Sequence, residues 1–196
     1  MTIERPASKQ PIPDHAKRVF EGVLFDVYQW EQELYDGSTT TFEKLKRPDT
    51  VVVFPVLDDG SILLTRQEQP GKEPFLGGAG GRVERDEDVL AAARRELLEE
   101  TGYEASEFVL VDARQPTSKI DWAVFTFVAK GLRKVSTSNP DAGERIELEP
   151  VPFERFLELL TDESFAEPEL ARRAFEARLD PKKMPAFRNL FRPKSG

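Results

Sequence analysis

The chain has 196 residues, room for one domain with a short extension, and 39% of them are hydrophobic, including 14 phenylalanines, enough for a core. It has no cysteine, which excludes disulfides, thiolate nucleophiles and cysteine zinc sites; a single histidine, His15, excludes a histidine-rich metal site and argues against a Ser-His-Asp triad. The formal charge of −8 argues against a general nucleic-acid surface, yet permits a small anionic substrate met through bound cations, which reverse the local field.

Residues 1–18, with Pro6, Pro11 and Pro13 among polar groups, read as a flexible arm. Met1-Thr2-Ile3-Glu4 begins no signal peptide, and no apolar run approaches the roughly 20 residues of a membrane span. A soluble cytoplasmic protein with no membrane partner is expected. Residues 19–46 carry two strand-like runs, 23–30 and 39–45, around Asp36-Gly37, a strong hairpin signal. Runs 51–57 and 62–65 around Asp58-Asp59-Gly60 predict a second hairpin, and 108–111 and 122–129 further strands.

Residues 88–101 predict a helix. Leu90, Ala93, Leu97 and Thr101 recur at three- and four-residue intervals and form one largely apolar face. Asp86, Glu87 and Asp88 stand at its start, where exposed N–H groups favour negative charge, and Gly102 follows its last turn. On this helix Glu96 and Glu100 stack one turn apart, with Glu99 three residues from Glu96. Three carboxylates in one turn repel each other unless a cation offsets them. An all-oxygen set with places left for water and phosphate suits Mg²⁺ or Mn²⁺. The preceding Gly77-Gly78-Ala79-Gly80-Gly81 lets backbone approach a ligand closely. Arg95, four residues before Glu99 and within reach of Glu87, orients carboxylates and is not itself a ligand. A second region of helices is expected at 153–160 and 167–179, and 181–196 reads as a basic tail, solvated or docked.

From Gly81 to Tyr103 the sequence GRVERDEDVLAAARRELLEETGY fits G-x5-E-x7-R-E-U-x-E-E-x-G-U, with U bulky and apolar. Seven positions are fixed residue types, so chance agreement at one start is on the order of 10⁻⁹ at roughly 6% usage per type. The stretch resembles the signature of the Nudix hydrolases. The resemblance implies an α/β (α+β) fold, an α/β/α sandwich around a mixed sheet, with 47–180 as the Nudix domain and 19–46 as an N-terminal antiparallel extension that builds a homodimer. Phe20-Glu21-Gly22, Arg47-Pro48-Asp49, Leu63-Leu64-Thr65-Arg66-Gln67 and Glu144-Arg145-Ile146-Glu147 look like the ADP-ribose pyrophosphatase branch. Two features depart from that branch: Gly77-Gly78-Ala79-Gly80-Gly81 where Glu-Leu-Pro-Ala-Gly is common, and Gln69 where arginine is frequent.

The activity implied is metal-dependent hydrolysis of ADP-ribose to AMP and ribose 5-phosphate. Another nucleotide-sugar pyrophosphatase, such as one for GDP-mannose, and a non-catalytic nucleotide sensor are the alternatives. The resemblance assigns metal binding to Glu96, Glu99, Glu100 and the Gly80 carbonyl, with Glu87 and Arg95 as supporting catalytic residues. Arg47, Arg66 and Gly81 are the expected substrate contacts. Glu144 is the best match for the general base, with Asp141 and Glu147 as competitors, and Phe25, Tyr28 or Trp30 could stack on adenine.

Overall fold

The computed structural model describes residues 3–139, 143–162, 165 and 168–194. Its central sheet takes the order β7 (Ala79–Arg82), β4 (Thr50–Pro55), β10 (Val124–Lys134), β8 (Tyr103–Arg114). β4 and β10 run parallel, and the outer pairs are antiparallel, so the sheet is mixed.

The two central strands read almost continuously apolar because each face meets a different core. On one face Val51, Val53, Phe125 and Phe127 pack with Ala92, Ala93 and Leu97 of α1 (Val89–Thr101). On the other, Val52, Phe54, Val124 and Val128 pack with α2 (Phe153–Leu159), α3 (Pro168–Leu179) and α4 (Met184–Leu190). Alternate residues of one strand therefore serve opposite layers, as the period-two pleat requires. This layering gives the α+β sandwich expected from the sequence.

The N-terminal strands β1 (Lys17–Glu21), β2 (Asp26–Glu33) and β3 (Thr39–Lys46) form an antiparallel meander, joined at its edge by β9 (Ile120–Asp121). Asp36 and Gly37 make the β2–β3 turn: the Asp36 carboxylate accepts from the Ser38 N–H at 3.0 Å, and Gly37 has φ 81°.

Two expectations need revision. Residues 50–55 and 62–69 do not form a regular hairpin. Only Val56 and Ile62 bridge, after which β5 (Ile62–Gln69) leaves for a separate sheet with β11 (Arg145–Val151) and β6 (Lys72–Gly77). The described part of the N-terminal arm is tied down. Arg5 pairs with Asp49 at 2.7 Å and Asp121 at 3.1 Å, while the buried Lys44 ammonium donates to Ser8 Oγ at 2.8 Å and to the Gln10 carbonyl. Of the two forms expected for the basic C-terminal segment it takes the docked one: Phe187 of α4 and Phe191 just after it enter the core, with Phe191 5.0 Å from Phe156 between ring centroids.

Candidate active site

The site grows from the junction of β7 and α1. β7 lies antiparallel to β4, pairing Gly80 with Val52 and Gly81 with Val51. The approach is closer than a side chain would allow. A Cβ at Gly80 would fall 2.2 Å from the Val51 carbonyl, and one at Gly81 would fall 2.4 Å from Glu96 Oε1. Gly81 therefore keeps open the space occupied by the Glu96 carboxylate.

The loop then turns through Asp86, which adopts φ 66°, and enters α1 at Asp88. The Asp88 carboxylate accepts from the N–H groups of Leu90 and Ala91 at 3.0 Å each, and Gly102 at φ 72° closes the other end. Both ends of the helix fall within a residue of where the sequence places them. Because Ala92, Ala93 and Leu97 fix its rotation against the sheet, Glu96 and Glu100 are carried inward and are only 8% and 5% exposed.

Arg95 organises the acidic cluster. Its Nε and one terminal nitrogen grip both Glu87 oxygens at 3.0 Å, and that nitrogen also reaches the Arg82 carbonyl. The other terminal nitrogen contacts Glu96 Oε1 at 2.8 Å and Glu99 Oε2 at 3.0 Å. Glu87 also accepts from the Glu84 N–H at 3.1 Å, so it anchors the loop. The fork from Arg95 holds the Glu87 carboxyl below its usual range, and Glu87 in turn drives the guanidinium upward.

Glu100 is the outlier. Burial, reinforced by the Glu96 charge, pushes its carboxyl up to about 9, against an opposing hydrogen bond from the Gly80 backbone; Glu144 and Glu99 add to the rise. The site thus keeps a desolvated carboxyl beside charged neighbours, and Glu100 holds its proton well above the ordinary carboxylate range.

Residues from β5 complete the cluster. Its exposed positions Arg66 and Glu68 alternate with buried Thr65 and Gln67. Gln67 donates to Thr65 Oγ1 at 3.0 Å and lies 3.4 Å from Glu100 Oε2; Gln69 donates to Glu144 Oε1 at 2.9 Å. Glu144 is therefore held on the Glu100 side of the strand. Glu147 pairs in register with Arg66 and belongs to the opposite side; Asp141 lies outside the described residues. Thr65 and Gln67 went unassigned in the sequence, although the alternation T-R-Q-E-Q could have flagged them; Gln69 stood out there only as a departure from the family pattern.

The expected substrate arginines fall elsewhere. Arg66 is ion-paired with Glu149 at 2.5 Å across β5 and β11, pointing away from Gln67 and Glu100. Arg47 lies 4.7 Å from the Trp122 ring centre and 5.6 Å from that of Phe25, on the wall of a cavity of about 650 Å³. Lys46, Val83, Glu84 and Arg85 also line it, which brings this cavity beside the loop leading to Glu87. Its size falls within the roughly 300–1,000 Å³ of small-molecule sites. Trp30 is buried against Phe42.

The donor set fits a hard divalent cation: oxygen donors only, a glycine that leaves room for one carboxylate, and a buried glutamate whose carboxyl is pushed up by burial and by the Glu96 charge. Among the described residues no three acidic side chains already converge as a preformed cation cluster. Arg95 occupies oxygens of Glu96 and Glu99 and draws them toward itself.

Comparison with known proteins follows the same lines. Residues 46–173 match the family model described as the NUDIX domain. The chain is 30% identical over 147 residues to an ADP-ribose pyrophosphatase of Bacillus subtilis (strain 168), covering 74% of this chain and 80% of that protein. It is 28% identical over 168 residues to the ADP compounds hydrolase NudE of Escherichia coli (strain K12), covering 81% and 87%. A methanol dehydrogenase activator of Bacillus methanolicus is 27% identical over 150 residues, covering 74% and 80%. Among solved structures, a crystal structure of an ADP compounds hydrolase superposes with a TM-score of 0.71 at 24% identity, over 93% of this chain and 99% of that one.

Proposed function

The chain belongs to the Nudix family and is a hydrolase resembling ADP-ribose and ADP-compound pyrophosphatases, and from that premise we propose that it hydrolyses ADP-ribose to AMP and ribose 5-phosphate with Mg²⁺. The observation that carries the reading is the buried Glu96/Glu100 pair on α1, with the Glu100 carboxyl pushed up by burial and by the Glu96 charge, backed by the Arg95–Glu87 clamp. Mn²⁺ satisfies the same oxygen donors. Glu96, Glu99, Glu100 and the Gly80 carbonyl would hold the cation. When bound, it supplies neutralisation of diphosphate charge and polarises the attacking water.

This chain's own residues would do the rest. Glu144 accepts a proton from water as the water oxygen bonds to phosphorus; the bond from phosphorus to the bridging oxygen breaks, and the departing phosphate carries the electron pair. In-line displacement needs chiefly positioning and charge stabilisation, which rigid placement on α1 and β5 suits. Arg95 keeps Glu87, Glu96 and Glu99 oriented. Arg47, stacked on Phe25 and Trp122 and lining the cavity beside the loop to Glu87, is the candidate contact for a nucleotide phosphate. Arg66, held by Glu149, is assigned no substrate contact here, and Gly81 serves by making room for Glu96.

Strand β1 and the turn after it expose Val19, Phe20 and Val23 at 51%, 58% and 101%. These side chains support use of the N-terminal sheet as the surface that joins two copies into a homodimer. No described helix is long and apolar enough to cross a membrane.

The test is a panel of ADP-ribose, other nucleoside diphosphate sugars including GDP-mannose, and nucleoside triphosphates, each with Mg²⁺. Phosphate-monoester products should appear fastest from ADP-ribose. Preference for GDP-mannose would move the substrate assignment to that class, and action on triphosphates alone would refute the proposal. Binding of every compound without turnover would instead make the chain a sensor.

A further inference from the structure

We propose that Gln69 is a positioning residue that sets the direction of the Glu144 carboxylate, and that β5 is the ruler fixing Glu144 relative to Glu100. This inference rests on the assignment of Glu144 as proton acceptor.

Glu144 follows a stretch outside the described residues and precedes β11 by a single residue, so its backbone is constrained from the β11 side. Its carboxylate would otherwise sweep a wide cone. A good hydrogen bond of 2.9 Å from Gln69 Nε2 to Glu144 Oε1 removes much of that freedom. Both residues line a recess of about 440 Å³ with Pro70, Gly143 and Arg145, so the bond sits at an open mouth and not inside the core.

Although the pairing with β6 slips between Gln67 and Gln69, the pairing with β11 stays in register and Gln67, Glu68 and Gln69 alternate buried, exposed and half-buried. The donor therefore lies on the Gln67 side of β5, about 6.6 Å further along at roughly 3.3 Å per residue. Gln67 is itself fixed by Thr65, whose hydroxyl contacts the Gly77 and Gly78 carbonyls at 3.3 and 3.2 Å. Consecutive same-side amides of one strand thus contact the helix carboxylate Glu100 and the loop carboxylate Glu144. The Gln69 amide donates one directed bond and leaves the second Glu144 oxygen as an acceptor.

The test compares Gln69→Met, which keeps length and removes the donor, with Gln69→Arg, which keeps a donor, using ADP-ribose and Mg²⁺. Because small misplacements of a reacting group are costly, kcat of Gln69→Met should fall on the order of tenfold or more, with KM changed less than about twofold and the thermal midpoint unchanged. Gln69→Arg should recover most of the lost kcat. In a Glu144→Gln background the Met substitution should have no further effect, because both changes act through one group. A wild-type kcat in Gln69→Met, or an undiminished further loss in the Glu144→Gln background, overturns the inference. If Glu144→Gln itself turns over normally, the proton-acceptor assignment and the inference fall together, a result distinct from failure of Gln69 alone.

Discussion

Replacing Glu100 by glutamine should stabilise the metal-free protein while abolishing its turnover. Glu100 is 5% exposed, and its carboxyl lies at about 9 instead of the ordinary 4.5. Between these values the folded protein holds a proton that the unfolded chain releases. Stability therefore falls as pH rises from about 4.5 to about 9, and the cost is complete only above the folded value. Each pH unit in that window costs about 1.4 kcal/mol, so at pH 8 the ceiling is about 5 kcal/mol. Local relaxation around a buried charge lowers this, and a gain of about 2–3 kcal/mol for Glu100→Gln at pH 8 is expected. The neutral amide has nearly the same shape, so packing against Gly80 should survive. The assay is urea unfolding with chelator present, at pH 5, 6.5 and 8, for both proteins. The difference should be near zero at pH 5 and widen toward pH 8; a constant difference, or destabilisation at pH 8, would refute the argument. Adding Mg²⁺ should then stabilise the wild type, since binding to the folded state alone raises stability, and leave Glu100→Gln nearly unmoved.

Other substitutions separate the parts of the site from its scaffold. Gly81→Ala places a Cβ 2.4 Å from Glu96 Oε1, so kcat should drop more than about tenfold as Glu96 is displaced, which steady-state kinetics would register. Arg95→Lys keeps the charge but cannot grip Glu87, Glu96, Glu99 and the Arg82 carbonyl together; a loss of about 1–3 kcal/mol in urea unfolding and faster proteolysis near residue 85 are expected. Phe191→Ala should cost about 3–5 kcal/mol by the same unfolding assay, because its ring is buried against Phe156, Phe153 and Phe187. Replacing Arg192, beside it, by Gln should cost almost nothing.

The helix and its carboxylates were legible because every signal is local: Asp88 as cap, Gly102 as stop, and the apolar residues between them. Where the chain depends on distant partners, sequence alone fell short. Nothing near Asp58-Asp59-Gly60 says that β5 abandons β4 for β11, a strand more than seventy residues later. The tail read as basic because Lys182, Lys183, Arg188 and Arg192 dominate it, yet Phe187 and Phe191, one helical turn apart, carry its docking. Arg66 shows the limit most clearly. A cation beside the expected phosphates was a sensible candidate, but strand parity turns it toward Glu149 and presents Thr65 and Gln67 to the acidic cluster instead. Parity could have been read from the pattern; which side faced α1 could not.

The most direct measurement of the central claim is Mn²⁺ uptake by electron paramagnetic resonance, in wild type, Glu96→Gln and Glu100→Gln, each with and without a non-hydrolysable ADP-ribose analogue. Wild type should take up Mn²⁺, more tightly with the analogue, and both variants should lose that uptake at least tenfold. Absence of uptake in the wild type, or equal uptake in all three proteins, would contradict the assignment of these glutamates as the cation site.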